Sequence, residues 1–178
     1  YMISDIKDVE GISLNSDEVS YVKNSIQEDK TSLTIINKDG FYISIHYVKK
    51  QENQFSYLEE LRRAGDVFFA EARKLKLSDI ELHDTYDNPG NALAYLEGFL
   101  LGGYEFKKYK TEKNKEDAKE IKLNVVSKKL NLRDIEELKA IVKAVFFCRD
   151  LINEPNSYLN SEKLAEDIKE LNETVGVK

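Results

Sequence analysis

The chain has 178 residues, a formal net charge of −6 and a pI near 5.2, so it lacks the concentrated positive surface on which nucleic-acid binding depends. Hydrophobic residues at 41% and charged residues at 34% describe an ordinary globular protein, and the length suits one domain with a short extension from a second. The sequence contains no apolar run long enough to predict a transmembrane helix.

The amino terminus and the cysteine content indicate the cellular compartment. Residues 1–5 lack the basic and apolar regions of a signal peptide. Cys148 is the single cysteine and lies within an apolar helical pattern, so it cannot form an internal disulfide. We therefore expect a cytoplasmic protein in which Cys148 is a buried, unreactive thiol, because the sequence places no histidine partner or basic cluster beside it.

A β-hairpin is predicted in the first third of the chain. Alternating apolar residues at 31–37 and 41–48 flank the turn signal Asn37-Lys38-Asp39-Gly40. In the second of these segments His46 falls opposite the apolar face and has no acidic neighbour in sequence. We therefore expect His46 to face solvent or to lie at a sheet edge.

The segments around the hairpin are less regular on its amino-terminal side than on its carboxy-terminal side. Residues 11–15 favour a further strand, and the apolar spacing of 16–29 indicates a short helix. Residues 53–76 predict the first long helix, because apolar side chains recur at helical spacing between charged ones. Gly65 within this helix costs about 1 kcal/mol relative to alanine, which indicates close packing against a neighbour.

A second strand and helix follow. Residues 80–83 alternate as a short strand, and the largely apolar segment 92–106 predicts a helix that begins after an Asn-Pro-Gly-Asn turn. Gly98 and Gly102 stand one turn apart in it, a spacing that lets another element approach the backbone closely.

The last third of the chain repeats this order. The charged stretch 107–120 is interpreted as a solvated linker, and 121–126 predicts a strand. Asn131, with Asp134 three residues later, is typical of a capped helix start. This helix carries a broad apolar face and ends before Pro155. A final amphipathic helix begins at Asn160-Ser161 and presents Leu164, Ile168 and Leu171.

The order of elements predicts the fold class. From residue 53 onward, helices alternate with strands, which implies a parallel or mixed sheet with helices on both faces. The hairpin adds antiparallel pairing. We therefore expect a three-layer α/β/α sandwich with a mixed sheet.

The residues that could carry chemistry favour structural roles instead. His83, Asp84 and Asp87 are the nearest approach to a metal cluster, but two acids and one histidine are more typical of a surface loop than of a metal site. Glu97 is a lone carboxylate on an apolar helix, where a bond to a backbone amide or an arginine is expected. Gly102-Gly103 lies at a helix end rather than after a strand, so it predicts no phosphate-binding loop.

Residues 149–156, Arg-Asp-Leu-Ile-Asn-Glu-Pro-Asn, form the most informative polar stretch. Arg149 and Asp150, with Asn153 and Glu154, indicate helix capping and hydrogen bonds across a domain junction, a reading favoured over direct substrate contact. The sequence therefore predicts no catalytic, cofactor-binding or metal-binding residue within these 178 residues.

Three segments, taken together and in order, resemble the amino-terminal half of the M17 leucyl aminopeptidases, also called cytosol aminopeptidases. The match covers residues 55–172 and departs from the family where Asn160-Ser161 replaces a Thr-Pro pair, although both residues can cap a helix. The segments are Leu61-Arg62-Arg63-Ala64-Gly65 and the helix after it, Ala94-Tyr95-Leu96-Glu97-Gly98-Phe99-Leu100-Leu101-Gly102-Gly103-Tyr104-Glu105-Phe106-Lys107-Lys108-Tyr109-Lys110, and Arg149 to Pro155 with the helix that follows.

The resemblance implies a division of the chain and a role for it. Residues 1–154 would form a non-catalytic, macro-domain-like α/β domain, and 155–178 the linker and first helix leading into a catalytic domain beyond Lys178. Family members are cytosolic hexamers whose carboxy-terminal domain binds two divalent metals, Zn or Mn, and removes amino acids from peptide amino termini. The fragment alone is then expected to be inactive and to contact its own catalytic domain and neighbouring subunits, with no membrane partner.

Two alternatives remain beside this one. A macro-like domain could bind an ADP-ribose-type nucleotide, although that reading rests on fold analogy. A domain that serves assembly alone, with no ligand, is the other.

Overall fold

The computed structural model describes residues 1–28, 31–86, 88–109 and 120–175. Within this part of the chain no helix is both long and apolar enough to cross a membrane. A 3₁₀ helix spans Ile6–Gly11. The other elements are β1 (Met2–Ile3), α1 (Ser16–Glu28), β2 (Thr31–Lys38), β3 (Phe41–Val48), α2 (Gln54–Lys74), β4 (Asp79–His83), α3 (Pro89–Gly102), β5 (Lys122–Val126), α4 (Leu132–Asn153) and α5 (Ser161–Val175).

The strands form a mixed sheet from two ladders. In the first ladder β3 lies between β2, which is antiparallel to it, and β1, which is parallel to it. In the second ladder β4 and β5 are parallel and in register from Asp79 with Lys122 to His83 with Val126. A parallel bridge from Met2 to Asp84 joins the two ladders in the part of the chain that the structure describes. The predicted hairpin and mixed sheet are therefore confirmed.

The sheet separates two hydrophobic clusters, because successive side chains of a strand point to opposite faces. Ile3 and Ile45 pack on the side of α1 and the 3₁₀ helix. Met2 and Val48 pack on the opposite side with α2, α3 and α4. Helices thus cover both faces of the first ladder, and the predicted mixed α/β fold is confirmed. The likeness to macro domains stays a prediction.

Helices α2 and α3 pack with their backbones in near contact. A Cβ added to Gly65 of α2 would lie 2.0 Å from the carbonyl oxygen of Tyr95 in α3. Real side chains do not come this close, so this crossing requires glycine at position 65. The close approach expected of Gly65, Gly98 and Gly102 is confirmed.

Several predicted boundaries were wrong. Residues 11–15 form no strand, because a capping box between Asp5 and Asp8 starts a 3₁₀ helix that ends only at Gly11. The helix predicted to reach residue 106 ends at Gly102, where the Gly103 amide caps it by donating to the Leu100 carbonyl. Strand β1 was not predicted, because two residues are too short to show a strand pattern. Most of the predicted charged linker, residues 110–119, lies outside the described residues.

Candidate functional site at the end of helix α4

The polar residues predicted to mark a junction meet the loop that follows α3. The Tyr104 hydroxyl donates to the Asp150 carboxylate at 2.9 Å and accepts from the Asn153 amide at 3.0 Å. The Arg149 guanidinium donates to the Leu101 carbonyl at 3.2 Å, which satisfies an acceptor near the end of α3. The same guanidinium lies 5.3 Å from the centre of the Tyr104 ring. These contacts fasten the last turn of α4 to the end of α3.

Glu154, the carboxy-terminal cap residue of α4, is the charged centre of this region. Its carboxylate pairs with the Lys108 ammonium and accepts from the Tyr109 hydroxyl, and its side chain is only 7% exposed. The hydrogen bonds from Lys108 and Tyr109 lower the pKa of Glu154 below its usual value. The same bond from Lys108 raises the pKa of the lysine. The pair therefore stays ionised at neutral pH.

Lys108 also connects α4 to the start of α5. Its ammonium lies 3.9 Å above the centre of the Tyr158 ring, within cation–π range. Downstream, the Asn160 side chain accepts from the Lys163 amide at 2.8 Å and caps α5. The capping role expected of this departure from the family pattern is thus confirmed. We call the whole set the junction cluster: Tyr104, Lys108, Tyr109, Arg149, Asp150, Asn153, Glu154 and Tyr158.

The polar contacts of the junction cluster hold the loop after α3 against the end of α4. A cavity of about 440 Å³ lies beside it, lined in part by Phe106, Phe147 and Leu151. The carboxylates of Asp150 and Glu154 are engaged by the hydroxyls of Tyr104 and Tyr109, and none of these groups is paired with a nucleophile. The sequence pointed to the α4 side of the cluster. The prediction of a solvated linker was wrong for Lys108 and Tyr109, because both bind the Glu154 carboxylate. No role was predicted for Tyr104, although it lies in the segment that carries the family resemblance.

The other candidate acids and histidines have local structural partners. Glu97 accepts from the Arg62 guanidinium at 2.7 Å, so the predicted arginine partner is confirmed. His83 Nε2 lies 2.6 Å from a Glu81 carboxylate oxygen, and its ring stacks on Tyr1 with centroids 4.6 Å apart. Across the described ranges, no group of three or more His, Cys, Asp or Glu side chains has the arrangement of a metal site. Asp87, the third predicted candidate, lies outside those ranges.

His46 is buried, so the prediction of a solvent-facing or edge histidine was wrong. Only 2% of it is exposed, and its Nδ1 lies 3.0 Å from the hydroxyl of Tyr95 in α3. Burial, aided by the nearby Tyr1 amino group, lowers the pKa of His46 to about 4. The ring is therefore neutral at pH 7. The error arose because the face of β3 that carries His46 is covered by α2 and α3, which the strand pattern alone does not reveal.

Cys148 is exposed on α4, so the prediction of a buried thiol was also wrong. The predicted apolar face of α4 is only partly covered: Leu138 and Val142 are buried, whereas Ile141 is 46% exposed and Ile152 is 82% exposed. A broad apolar face on a long helix therefore does not imply a fully covered helix.

Apolar side chains are exposed on both α4 and α5. On α5 the three residues predicted for its apolar face remain between about one third and one half exposed: Leu164, Ile168 and Leu171. Together with Ile141 and Ile152 they place uncovered apolar groups on both helices that the junction cluster connects. Exposed apolar groups of this kind are typical of surfaces that pack against another protein or domain.

Two curated proteins similar to this chain carry the same name. A probable cytosol aminopeptidase of Sulfurihydrogenibium sp. is 33% identical over 137 residues, which cover 72% of this chain and 26% of that protein. A probable cytosol aminopeptidase of Clostridium perfringens is 33% identical over 129 residues, covering 66% of this chain and 26% of that protein. The chain therefore spans about a quarter of the length of these relatives. No protein-family model matches it.

Solved structures agree on the fold. A tomato leucine aminopeptidase mutant matches with a TM-score of 0.68 at 16% identity, over 89% of this chain and 34% of that one. The bottromycin maturation enzyme BotP matches with a TM-score of 0.65 at 18% identity, over 94% of this chain and 36% of that one. At these identities the likeness concerns the fold, and this chain corresponds to about a third of each.

Proposed function

Because the chain belongs to the cytosol aminopeptidase family and matches the amino-terminal part of its members, we propose that it is the non-catalytic domain of a peptidase that releases amino-terminal residues from peptides. The main support for this proposal is that the alignment covers 72% of this chain but only 26% of the Sulfurihydrogenibium relative. The proposal assigns the chemistry to a carboxy-terminal domain with two divalent metals, Zn or Mn. When bound there, such metals activate water and polarise the scissile carbonyl.

The junction cluster supports a positioning role for this chain. It connects the loop after α3 and the end of α4 with Tyr158, just before α5, and would so hold the start of α5 in place relative to the end of α4. The side chains of Leu164 and Ile168 are partly exposed on α5. We propose that this apolar face contacts the catalytic domain or a neighbouring subunit of a homohexamer in the cytoplasm.

A direct assay of the chain tests the absence of activity. The purified 178-residue chain, supplied with Mn²⁺ or Zn²⁺, is expected to leave leucine p-nitroanilide unhydrolysed. The full-length Clostridium perfringens relative serves as the positive control for substrate and metal. Metal-dependent turnover by the chain, retained after a second purification step, would overturn the proposal.

A chimera tests the positioning role. In it, this chain replaces the matching amino-terminal quarter of the Sulfurihydrogenibium protein. The chimera is expected to hydrolyse the substrate and to assemble to the same size as the parent in light scattering. A matched chimera carrying Lys108→Gln in the junction cluster should assemble less completely. A folded but inactive and monomeric chimera would argue against the proposed role.

Nucleotide binding is the competing expectation, and calorimetry with ADP-ribose separates the two. The glycine pair at Gly102-Gly103 ends α3. The carboxy-terminal end of a helix carries partial negative charge, which disfavours phosphate. We therefore expect no binding heat, and stoichiometric binding would favour the nucleotide-binding alternative.

A further inference from the structure

The hairpin leaves one edge of the first ladder open. The strands of this ladder lie in the order β1, β3, β2, so β2 is at its end. All eight residues of β2 pair with β3, from Thr31 opposite Val48 to Lys38 opposite Phe41, without a bulge or a change of register. In the described part of the chain no strand pairs with the other side of β2. We call this side of the strand the β2 edge.

Alternate residues of β2 direct their backbone groups to this edge. The His46 amide of β3 donates at 2.9 Å to the carbonyl of the residue before β1, so the backbone groups of His46 point away from β2. Leu33 is opposite His46, and the two residues of such a non-hydrogen-bonded pair point their N–H and C=O groups away from each other. By alternation, four residues of β2 offer these groups at the edge: Thr31, Leu33, Ile35 and Asn37.

The β2 edge lacks the features that usually keep an edge strand from pairing. Proteins protect such edges with charged side chains, proline or a β-bulge. Residues 31–37, Thr-Ser-Leu-Thr-Ile-Ile-Asn, contain no charged residue and no proline, although 34% of the whole chain is charged. Lys38 is the first charged residue along the strand, and its ammonium pairs with Glu18 of α1. These seven residues therefore carry no charge that would repel a neighbouring strand.

The apolar side chains of β2 are only partly covered. Leu33 packs at the margin of the hydrophobic cluster of α2, α3 and α4, and Ile36 packs at the margin of the cluster of α1 and the 3₁₀ helix. Both side chains are partly exposed, as is that of Ile35. A strand added at the β2 edge would place side chains beside them and would extend both clusters.

We propose that the β2 edge is a self-association site, at which β2 of a second copy pairs antiparallel across a two-fold axis. An open edge pairs readily with an added strand, and its charge selects the partner. A charged edge would fit a strand of opposite charge, whereas this uncharged edge meets an identical edge without like-charge contacts. The net charge of −6 disfavours contact of two copies through their charged surfaces. The site shares no residue with the junction cluster.

One register of the two copies uses all the free backbone groups of the β2 edge. With the two-fold axis at Thr34, Leu33 faces Ile35 of the second copy and Thr31 faces Asn37 of the second copy. All four outward residues of each strand then form hydrogen-bonded pairs, and Leu33 and Ile35 become apolar cross-strand pairs. Because both copies use the same edge, the assembly closes as a dimer with one continuous sheet.

Light scattering and amide hydrogen exchange test this site on the 178-residue chain. The mass is expected to rise from 20.5 kDa to twice that value as the protein concentration is raised. Over the same range, exchange should slow by about tenfold or more at the outward amides of Leu33 and Ile35. The amides of Thr34 and Ile36 face β3, so they are the internal control and should be protected at every concentration.

Three variants of Ile35 separate the edge from other surfaces. Ile35→Pro removes an outward amide but no hydrogen bond to β3, and Ile35→Lys places two like charges near the axis. Both variants should stay monomeric at concentrations at which the parent is dimeric. Ile35→Thr is the matched control, because it keeps the amide and a β-branched side chain, and its dimerisation constant should stay within about threefold of the parent's. Urea unfolding identifies any variant that does not fold.

A parent chain that stays monomeric at all concentrations would overturn the proposal. Dimerisation that folded Ile35→Pro or Ile35→Lys leaves unchanged would place the contact elsewhere and would overturn it too. So would protection of Leu33 and Ile35 that is independent of concentration in a monomer, because another segment of the same chain would then occupy the edge. Assemblies larger than a dimer would contradict the two-fold pairing.

Discussion

A Cβ atom added to Gly98 would lie 1.8 Å from the carbonyl oxygen of Arg62, the closest approach at any glycine in the described residues. Gly65 of α2 makes the corresponding close approach to the backbone of Tyr95 in α3, so the two helices pack backbone against backbone. Neither helix can turn about its axis without separating the two.

We expect Gly98→Ala to destabilise the chain by about 2 kcal/mol or more. Alanine gains about 1 kcal/mol in helix propensity, but overpacking costs typically 1–3 kcal/mol and more where backbone must move. Gly11→Ala is the control, because a Cβ there meets nothing within 4 Å. Urea unfolding compares the two, and equal stabilities would contradict the packing described.

Stability should fall as the pH is lowered from 6.5 towards 4, in part because of His46. Its folded pKa of about 4 lies below the ordinary 6.5, so between these values the unfolded state binds more protons. The contribution, fully present above pH 6.5, is about 3 kcal/mol. The Tyr95 hydroxyl lies 3.0 Å from Nδ1 of the ring, and the positive charge of the Tyr1 amino group adds to the lowering of the pKa of His46.

The variant His46→Gln isolates this contribution, because glutamine keeps a polar partner for Tyr95 but does not titrate. The difference in unfolding free energy between variant and parent should change with pH in this window. A constant difference would mean that His46 is not buried as a neutral ring.

Lys108→Gln should raise the pKa of Glu154, measured by NMR titration of its carboxyl group. The Lys108 hydrogen bond is the largest cause of the lowered value, so its loss returns the carboxyl towards ordinary behaviour. Because the folded pKa is depressed, the associated stability is present above the ordinary value and is lost as the pH falls through the folded one. In the Lys108→Gln variant, the unfolding free energy should therefore depend less on pH in the acid range.

Lys107→Gln is the matched control for this titration. Lys107 pairs with Glu105 at 2.7 Å, so its removal should raise the pKa of Glu105 and leave Glu154 unchanged. Movement of Glu154 in both variants would indicate a general charge effect instead of the specific pair.

Cys148 should react with a thiol reagent in the folded chain. Because it is exposed on α4, the rate is expected to stay constant at urea concentrations below the unfolding transition. Cys148→Ser, which should show no reaction, controls for background. A rate that rises in proportion to the unfolded population would instead mean that the thiol is covered.

Features determined by neighbouring residues could be predicted from the sequence. The Asn131 cap with Asp134 is such a feature, and the structure has both hydrogen bonds of that capping box. The glycines of α2 and α3 could also be interpreted, because little besides close packing explains glycine at the centre of a long helix.

Features determined by distant residues could not be predicted from the sequence. Ile45 and His46 are neighbours in β3 and point to opposite faces of the sheet. Whether His46 is buried or exposed depends on the helices that cover its face, and these lie far away in sequence. The burial of Val142 beside an exposed Ile141 likewise depends on where α3 crosses α4. The Tyr104 and Glu154 hydrogen bonds of the junction cluster join residues 45 to 49 positions apart, so they have no local signature.

The two residues of β1 supply one side chain to each hydrophobic cluster, Met2 to one and Ile3 to the other. Trimming by an aminopeptidase or nonspecific protease would therefore not fray the domain gradually. Loss of three residues would withdraw an anchor from both sides of the sheet and cut the Met2 bridge to the second ladder. Removal of Met2 and Ile3 should accordingly weaken the packing on both faces of the sheet at once.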